Sequence, residues 1–154
     1  MEIERKFLVN EKIYNYDLNK YKKKEIEQFY ISYDPEIRYR KVVNNSNVLY
    51  YETRKIGLGF LREEKEIEVS KEVYENNLKN NIGSIIYKTR YLIPLKDNLI
   101  CEVDFYSHKH KGWVTAEIEF LDENQGNNFT SFPEFFEKEV TEDKKYKNRY
   151  LSMK

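Results

Sequence analysis

Residues 1–7 read Met-Glu-Ile-Glu-Arg-Lys-Phe, and the alternation of charged and apolar side chains in this stretch indicates the fold. In a β-strand, successive side chains point to opposite faces, so residues two apart share a face. Glu2, Glu4 and Lys6 therefore share one face, and Ile3 lies on the other. Residues 2–9 are predicted to be a strand with one ionisable face.

Seven more short segments follow the first one and are separated by turn residues such as Asp34-Pro35 and Asn44-Asn45-Ser46. They cover residues 26–33, 37–43, 47–56, 62–69, 84–93, 99–106 and 113–121. Aromatic residues make up 16% of the chain, which also favours strands. Eight short strands in one chain predict a sandwich or a barrel.

Most of these strands have one face that consists mainly of ionisable side chains. The rows are Arg38 with Arg40, Thr53 with Lys55, Arg62 with Glu64, Glu66 and Glu68, Lys88 with Arg90, Glu102 with Asp104, and Glu117 with Glu119. A solvated outer face also alternates polar with apolar residues, but it normally mixes Lys with Glu. Here several strands carry acids only or bases only, which favours a shared, organised interior.

The separation of charges by sign indicates the kind of ligand such an interior would bind. Clustered carboxylates repel one another unless a cation lies among them, and Mg²⁺ or Mn²⁺ prefers oxygen ligands. Clustered Arg and Lys side chains bind multiply charged anions, and Arg fits phosphate oxygens bidentately. If the sheet closes with its polar face inward, the rows suit a complex of a metal ion with a polyphosphate.

The composition of the chain limits which other classes of function are possible. The 154 residues are predicted to form a single domain, residues 1–154. The 27 basic and 27 acidic side chains cancel, which argues against a nucleic-acid partner bound through a broad basic surface. Cys101 is the only cysteine, so an intrachain disulfide is excluded. Without a signal peptide or an apolar stretch of membrane-spanning length, the protein is expected to be cytoplasmic and without a membrane partner.

Helices are predicted at a few places between and after the strands. Ser70 can cap a helix from Lys71 to Asn81. Two more helical stretches are expected, at residues 133–136 and 143–151. The basic run from Lys20 to Lys24 is interpreted as a solvated loop.

The ordered series of motifs resembles the CYTH family, also called the triphosphate tunnel metalloenzymes, and within it the short bacterial branch similar to inorganic triphosphatases. The first motif is Glu2-Ile-Glu4-Arg-Lys6, which matches the ExExK signature of the family. The later motifs, in chain order, are Gln28-Phe-Tyr-Ile, Arg38-Tyr-Arg40, Thr53-Arg-Lys55, Arg62-Glu-Glu64-Lys-Glu66, Lys88-Thr-Arg90-Tyr, Glu102-Val-Asp104, Ala116-Glu117-Ile-Glu119 and the stretch from Glu139 to Asn148. The resemblance thus covers nearly the whole chain.

The resemblance implies a mainly β fold (α+β), an eight-stranded antiparallel closed β-barrel with a few short helices, that binds Mg²⁺ or Mn²⁺ and a linear triphosphate. It implies that Glu2, Glu4, Glu117 and Glu119 are the principal metal ligands, supported by Glu64, Glu66 and Asp104, with Glu4 and Glu119 at the reacting centre. It also implies that the phosphates are bound by Lys6, Arg38, Arg40, Lys55, Lys88 and Arg90, with Lys145 reaching in from a C-terminal lid.

Tyr30 is a further catalytic candidate, because it shares a face with Gln28 and could accept a proton. A phenol with a pKa of about 10 is a poor base at neutral pH, and Tyr is common in strands. Packing is therefore the better interpretation of this residue.

The leading hypothesis is hydrolysis of a small-molecule triphosphate, inorganic tripolyphosphate in particular. The enzymatic alternatives are a class IV adenylate cyclase, which would need an adenine pocket, and a thiamine triphosphatase, which would need an aromatic cradle. An alternative of another class is a non-catalytic module that binds polyphosphate. An outer face rich in Tyr and Phe is also compatible with a homodimer.

Overall fold

The computed structural model describes residues 3–56 and 63–154, so the predictions for Glu2 and Arg62 lie outside the described residues. The described strands are β1 (Ile3–Val9), β2 (Lys22–Tyr33), β3 (Glu36–Asn44), β4 (Asn47–Ile56), β5 (Glu63–Val69), β6 (Ile82–Pro94), β7 (Ile100–Ser107), β8 (Val114–Phe120) and β9 (Phe136–Glu139). The α-helices are α1 (Lys71–Leu78), α2 (Glu123–Asn128) and α3 (Asn148–Ser152).

All nine strands belong to one antiparallel sheet with the order β5-β4-β3-β2-β6-β7-β8-β1-β9. The predicted mainly antiparallel fold with eight principal strands is confirmed, and β9 is an addition to it. The sheet is strongly curled into a barrel-like form, but within the described residues hydrogen bonds do not close it. The expected closed barrel is therefore a curled sheet with β5 and β9 at its two edges.

Contacts of the C-terminal segment follow the curl of the sheet. The backbone carbonyl of Tyr146 accepts a hydrogen bond from Lys6 on β1, and Arg149 forms an ion pair with Glu36 at the start of β3. In a flat sheet, the five intervals between these strands would separate them by about 24 Å. Two residues only three positions apart contact both strands, because the sheet wraps around the segment that carries them.

The strand registers place the predicted ionisable rows on one side of the sheet. Glu4 lies opposite Glu119, Lys6 lies opposite Glu117, and Arg90 lies opposite Asp104. We call this side the tunnel face. It carries Glu4, Lys6, Gln28, Tyr30, Arg38, Arg40, Thr53, Lys55, Glu64, Glu66, Glu68, Lys88, Arg90, Glu102, Asp104, Thr115, Glu117 and Glu119.

The opposite face of the sheet carries most of the apolar core, with charged pairs only outside it among the described residues. On one half, Cys101, Val103 and Ile118 are buried beneath Ile13 and Phe135. On the other half, Phe29 and Tyr39 are buried against Tyr74 of α1, and Tyr50 packs at the margin. Burial of one such side chain contributes about 1.5–3 kcal/mol, so this packing fixes which side of each strand faces the tunnel.

The short helices are placed by capping and by the apolar residues they bury. The Ser70 hydroxyl accepts a hydrogen bond from the Val73 backbone N–H, as predicted, and α1 ends at Leu78, three residues earlier than expected. The C-terminal prediction is confirmed by a 3₁₀ turn at Lys144–Tyr146 and by α3. In the described parts of the chain, none of the helices is long and apolar enough to cross a membrane.

Two predictions of local structure are wrong. Instead of a helix over residues 133–136, Phe136 begins β9 and pairs with Val9, so edge pairing prevails over local propensity. The basic run interpreted as a loop also enters β2, which begins at Lys22 and pairs with β6 from Leu92 onward. A lysine-rich composition suggests solvent, but the long partner strand supplies the hydrogen bonds that extend β2.

Candidate active site

A buried ionic triad of Lys88, Arg90 and Asp104 lies on the tunnel face. Arg90 binds Asp104 with both of its donor edges, at 2.8 Å from Nε to Oδ1 and 3.0 Å from Nη2 to Oδ2. The Lys88 ammonium lies 2.9 Å from Oδ2 of the same carboxylate. The side chains of Lys88 and Asp104 are each 2% exposed, so these charges depend on one another and not on water.

The charges of the triad determine its protonation. Burial alone would raise the pKa of Asp104, but Lys88 and Arg90 outweigh that effect and lower it below its usual range. Burial lowers the pKa of Lys88, against the attraction of Asp104. Burial also disfavours the charged form of Arg90, yet Asp104 and Glu102 raise its pKa overall. Asp104 thus remains ionised and holds two cations in position on the tunnel face.

A second buried pair joins β1 to β8. The Lys6 ammonium lies 3.4 Å from Oε1 of Glu117 and donates a hydrogen bond of 2.6 Å to the backbone carbonyl of Tyr146. Burial raises the pKa of Glu117, whereas Lys6 lowers it, and the net direction is downward. Lys6 therefore links β8, through Glu117, to the C-terminal segment that carries Tyr146.

The two arginines of β3 extend the basic row along the sheet. Arg38 lies 3.1 Å from Glu64, and Arg40 lies 3.1 Å from Glu66, each reaching across β4. The buried Nε of Arg40 has no hydrogen-bond partner among the described residues. Burial lowers the pKa of Arg40, and the nearby positive charges of Arg90 and Arg38 lower it further. An unsatisfied buried donor beside other cations is the environment that an anion would stabilise.

Glu36 organises the basic residues at one end of the tunnel face. Its side chain is 4% exposed and lies 3.1 Å from Arg38, 3.5 Å from Lys55 and 3.7 Å from Arg149. Glu36 gives no signal in the sequence, because it precedes the Arg38-Tyr-Arg40 motif as a single acid. The predicted substrate residues Arg38 and Lys55 are both held by this one carboxylate.

The structure places the predicted metal ligands in separate parts of the tunnel face. Glu4 and Glu119 are cross-strand neighbours and both are solvent-exposed. Glu64 and Glu66 lie on β5, at the far end of the strand order, and pair with arginines. Over residues 3–56 and 63–154, no three acidic, His or Cys side chains are grouped closely enough to hold one metal ion.

Glu4 and Glu119 lie directly opposite each other on β1 and β8, as Glu102 and Glu117 do on β7 and β8. Like charges placed directly opposite each other in a sheet are destabilising, and a divalent cation between them would remove that cost. Mg²⁺ is commonly bound by one or two carboxylates, with phosphate oxygens and water as its other ligands. The pair of Glu4 and Glu119 fits that habit, while Asp104 fits the role of a counter-ion for Lys88 and Arg90.

Tyr30 is fully buried on the tunnel face and packs with Ile86, Tyr106 and Leu151. Burial raises its pKa to about 12, so the phenol stays protonated near neutral pH. These observations favour packing over proton transfer.

The C-terminal segment covers one end of the tunnel face. Leu151 is 1% exposed among the buried aromatic side chains there, and Asn148 accepts a hydrogen bond of 2.7 Å from the Tyr106 hydroxyl. Ser152 adds a hydrogen bond of 2.9 Å with Tyr33. Lys145 is exposed and lies 3.8 Å from Asp143, and it forms no ion pair with the described residues of the tunnel face.

Comparison with known proteins adds independent evidence. No family model matches the chain. The inorganic triphosphatase of Nitrosomonas europaea is 35% identical over 104 residues, which make up 68% of this chain and 68% of that protein. The crystal structure of the inorganic triphosphatase NE1496 is 30% identical, covers 100% of this chain and 95% of its own, and gives a TM-score of 0.73.

A more distant structure, a putative adenylate cyclase from Bacillus halodurans, shares the fold alone at 15% identity, with a TM-score of 0.58 and 82% and 84% coverage of the two chains.

A curled antiparallel sheet with basic and acidic rows on one enclosed face defines a class of β-tunnel proteins. Within that class, the chain belongs to the CYTH family of triphosphate tunnel metalloenzymes.

Proposed function

We propose that this protein is a metal-dependent triphosphatase that hydrolyses a compact triphosphate, inorganic tripolyphosphate in particular. The observation that supports this most strongly is the row of cations on the tunnel face, in which the buried Nε of Arg40 has no hydrogen-bond partner in the part of the chain that the structure describes. Membership of the family and the similarity to inorganic triphosphatases point to the same activity.

In this proposal, the basic side chains of the tunnel face bind the triphosphate. Arg38 and Arg40 are oriented by Glu36, Glu64 and Glu66. The other cations of the row are Lys6, Lys55, Lys88 and Arg90. Their charges neutralise the phosphate oxygens as electron density shifts towards the leaving group. Since the counter-ions hold these side chains in place before the substrate arrives, little reorganisation is needed during the reaction.

The acidic side supplies the metal ligands in this proposal. Glu4 and Glu119 would hold Mg²⁺ or Mn²⁺, with Glu2 and Glu117 as further candidates. When bound, the metal would polarise phosphate oxygens and lower the pKa of a water molecule. The exposed carboxylates of Glu4 and Glu119 would also orient the attacking water by accepting its hydrogen bonds. Removing one preorganised charge of this kind costs about 3–4 kcal/mol in the barrier.

The proposed cellular setting follows from the substrate and from the cysteine. A small soluble anion as substrate requires neither a nucleic-acid nor a membrane partner. Cys101 is free and buried, and burial raises the pKa of its thiol, which makes it unreactive. These features support a cytoplasmic location, where thiols stay reduced.

The test is a substrate panel. The protein is incubated with tripolyphosphate, pyrophosphate, ATP and thiamine triphosphate, each with Mg²⁺, with Mn²⁺ and with EDTA, while phosphate and cyclic AMP are measured. We expect rapid phosphate release from tripolyphosphate, and none in EDTA. Formation of cyclic AMP would replace the proposal with a cyclase, and tight binding of every anion without turnover would indicate a binding module.

A further inference from the structure

The basic row of the tunnel face continues beyond Arg90 into the first part of β2. Lys24 lies directly opposite Arg90, and Lys22 lies directly opposite Leu92. The pairing of β2 with β6 is regular from Lys22 to Gln28, so Lys22 and Lys24 point to the same side as Gln28. Both lysines are therefore on the tunnel face.

Lys24 lies opposite a cation, Arg90, whose counter-ions are already engaged. Arg90 is already neutralised by Asp104 and Glu102, at 2.8 and 3.3 Å. Within the described residues, neither Lys24 nor Lys22 forms an ion pair, although Lys23 on the other face lies 3.9 Å from Glu25. Asp104 and Glu102 offset the charge of Arg90 but form no ion pair with Lys24. Within the described residues, the half-buried Lys24 ammonium therefore has no anion to neutralise it.

A second observation indicates that an anion belongs in this region. Arg40 lies on β3, opposite Gln28 of β2, and is on the tunnel face. The Nε of Arg40 is buried and has no hydrogen-bond partner among the described residues. Arg40, Lys24 and Arg90 thus place donors on three adjacent strands, β3, β2 and β6, with Arg40 level with Gln28 and Arg90 level with Lys24.

We propose that Lys24, with Lys22 beside it, forms a further phosphate subsite next to Arg90 that takes the additional phosphate of a linear inorganic polyphosphate longer than three units. This inference rests on the proposed function, since it assigns the tunnel face to polyphosphate. It extends the substrate class from tripolyphosphate to tetrapolyphosphate. A triphosphate occupies the Arg and Lys residues already described, and the fourth phosphate reaches Lys24.

The experiment measures binding without turnover. Titration calorimetry in EDTA is carried out with tripolyphosphate and with tetrapolyphosphate on the wild type, Lys24→Gln and Lys23→Gln. Lys23 is the matched control, because it is the same residue type one position away on the opposite face. We expect Lys24→Gln to raise the Kd for tetrapolyphosphate about tenfold, the loss of one charged hydrogen bond, and that for tripolyphosphate less than twofold. Lys23→Gln should change neither constant, and Lys24→Arg should retain the wild-type affinity.

Two results would overturn the subsite. An unchanged Kd for tetrapolyphosphate in Lys24→Gln would show that the lysine does not contact the anion. An equal loss for both anions would place Lys24 in the triphosphate site itself. Phosphate release from tripolyphosphate by the wild type is measured in parallel with Mg²⁺. Its absence would contradict the proposed function separately.

Discussion

Asp104 and Arg90 are joined by two parallel hydrogen bonds of 2.8 and 3.0 Å, and the same carboxylate lies 2.9 Å from Lys88. One buried acid thus fixes the positions of two cations on the tunnel face. Both positive charges are buried, and Asp104 pairs with each of them. An unpaired charge would be costly in a protein interior. Asp104 is therefore as important for stability as for binding of the substrate.

Replacing Asp104 by Asn should leave Lys88 buried without a counter-ion. We expect the free energy of unfolding to fall by about 3–5 kcal/mol, the cost of breaking a buried pair from one side. Urea denaturation followed by circular dichroism measures this change. Glu75→Gln, which removes an exposed pair with Lys71, is the control and should change stability by less than about 1 kcal/mol. Equal effects of the two substitutions would contradict the buried triad.

The lowered pKa of Asp104 also predicts how acid affects stability. Because the folded-state pKa lies below the unfolded value of about 3.9, the stabilisation is complete above that pH. It declines as the pH falls further, by about 1.4 kcal/mol per pH unit until the folded pKa is reached. Urea denaturation at pH 7, 5, 4 and 3 should show the stability difference between wild type and Asp104→Asn narrowing only below about pH 4. A difference that narrows already between pH 7 and 5 would mean that another group is responsible.

Glu36 is predicted to be a positioning residue for the phosphate-binding side chains. Glu36→Gln keeps the shape of the side chain but removes the charge that holds Arg38, Lys55 and Arg149. We expect KM for tripolyphosphate to rise about three- to tenfold, with a smaller change in kcat, because the cations lose their fixed geometry. Glu52→Gln on the opposite face, which pairs with Arg54, is the control and should leave KM unchanged. A fall in kcat alone would assign Glu36 a role at the reacting centre.

Glu4 is predicted to hold the metal together with Glu119. Glu4→Gln should reduce kcat for tripolyphosphate at least 100-fold by removing a charged ligand, while tripolyphosphate binding in EDTA is retained. The melting temperature and circular dichroism of the variant should match the wild type, since Glu4 is solvent-exposed. Undiminished turnover at saturating Mg²⁺ would exclude Glu4 from the metal site.

The strands and their faces could be predicted from the sequence because the charge alternation is strict. In segments such as Glu117 to Glu119, the two-residue alternation determines which side chains face the tunnel. The strand register places these two residues on that face. The edge strand β9 could not be predicted in this way, because Phe136 pairs with a strand about 130 residues earlier in the chain. Tertiary pairing of this kind leaves no local pattern.

The candidate site was predictable as a set of residues but not as a network. The sequence predicts Lys88 and Arg90 as phosphate ligands and Asp104 as a metal ligand. The structure joins all three side chains in one buried cluster. Glu36 was missed because a single acid before a strand has no periodicity. Lys24 was assigned to a loop because lysine runs are usually solvated. Each depends on partners from distant strands, so only the folded sheet shows its environment.

The most direct test of the tunnel face compares two arginines on opposite sides of the sheet. Arg40 lies on the tunnel face, and Arg54 lies on the other face, paired with Glu52 at 2.7 Å. Titration calorimetry of tripolyphosphate in EDTA is carried out with the wild type, Arg40→Ala and Arg54→Ala. We expect Arg40→Ala to weaken binding about 10- to 100-fold and Arg54→Ala to leave it unchanged. Equal binding by Arg40→Ala and the wild type, or a loss confined to Arg54→Ala, would contradict the assignment of the tunnel face as the polyphosphate site.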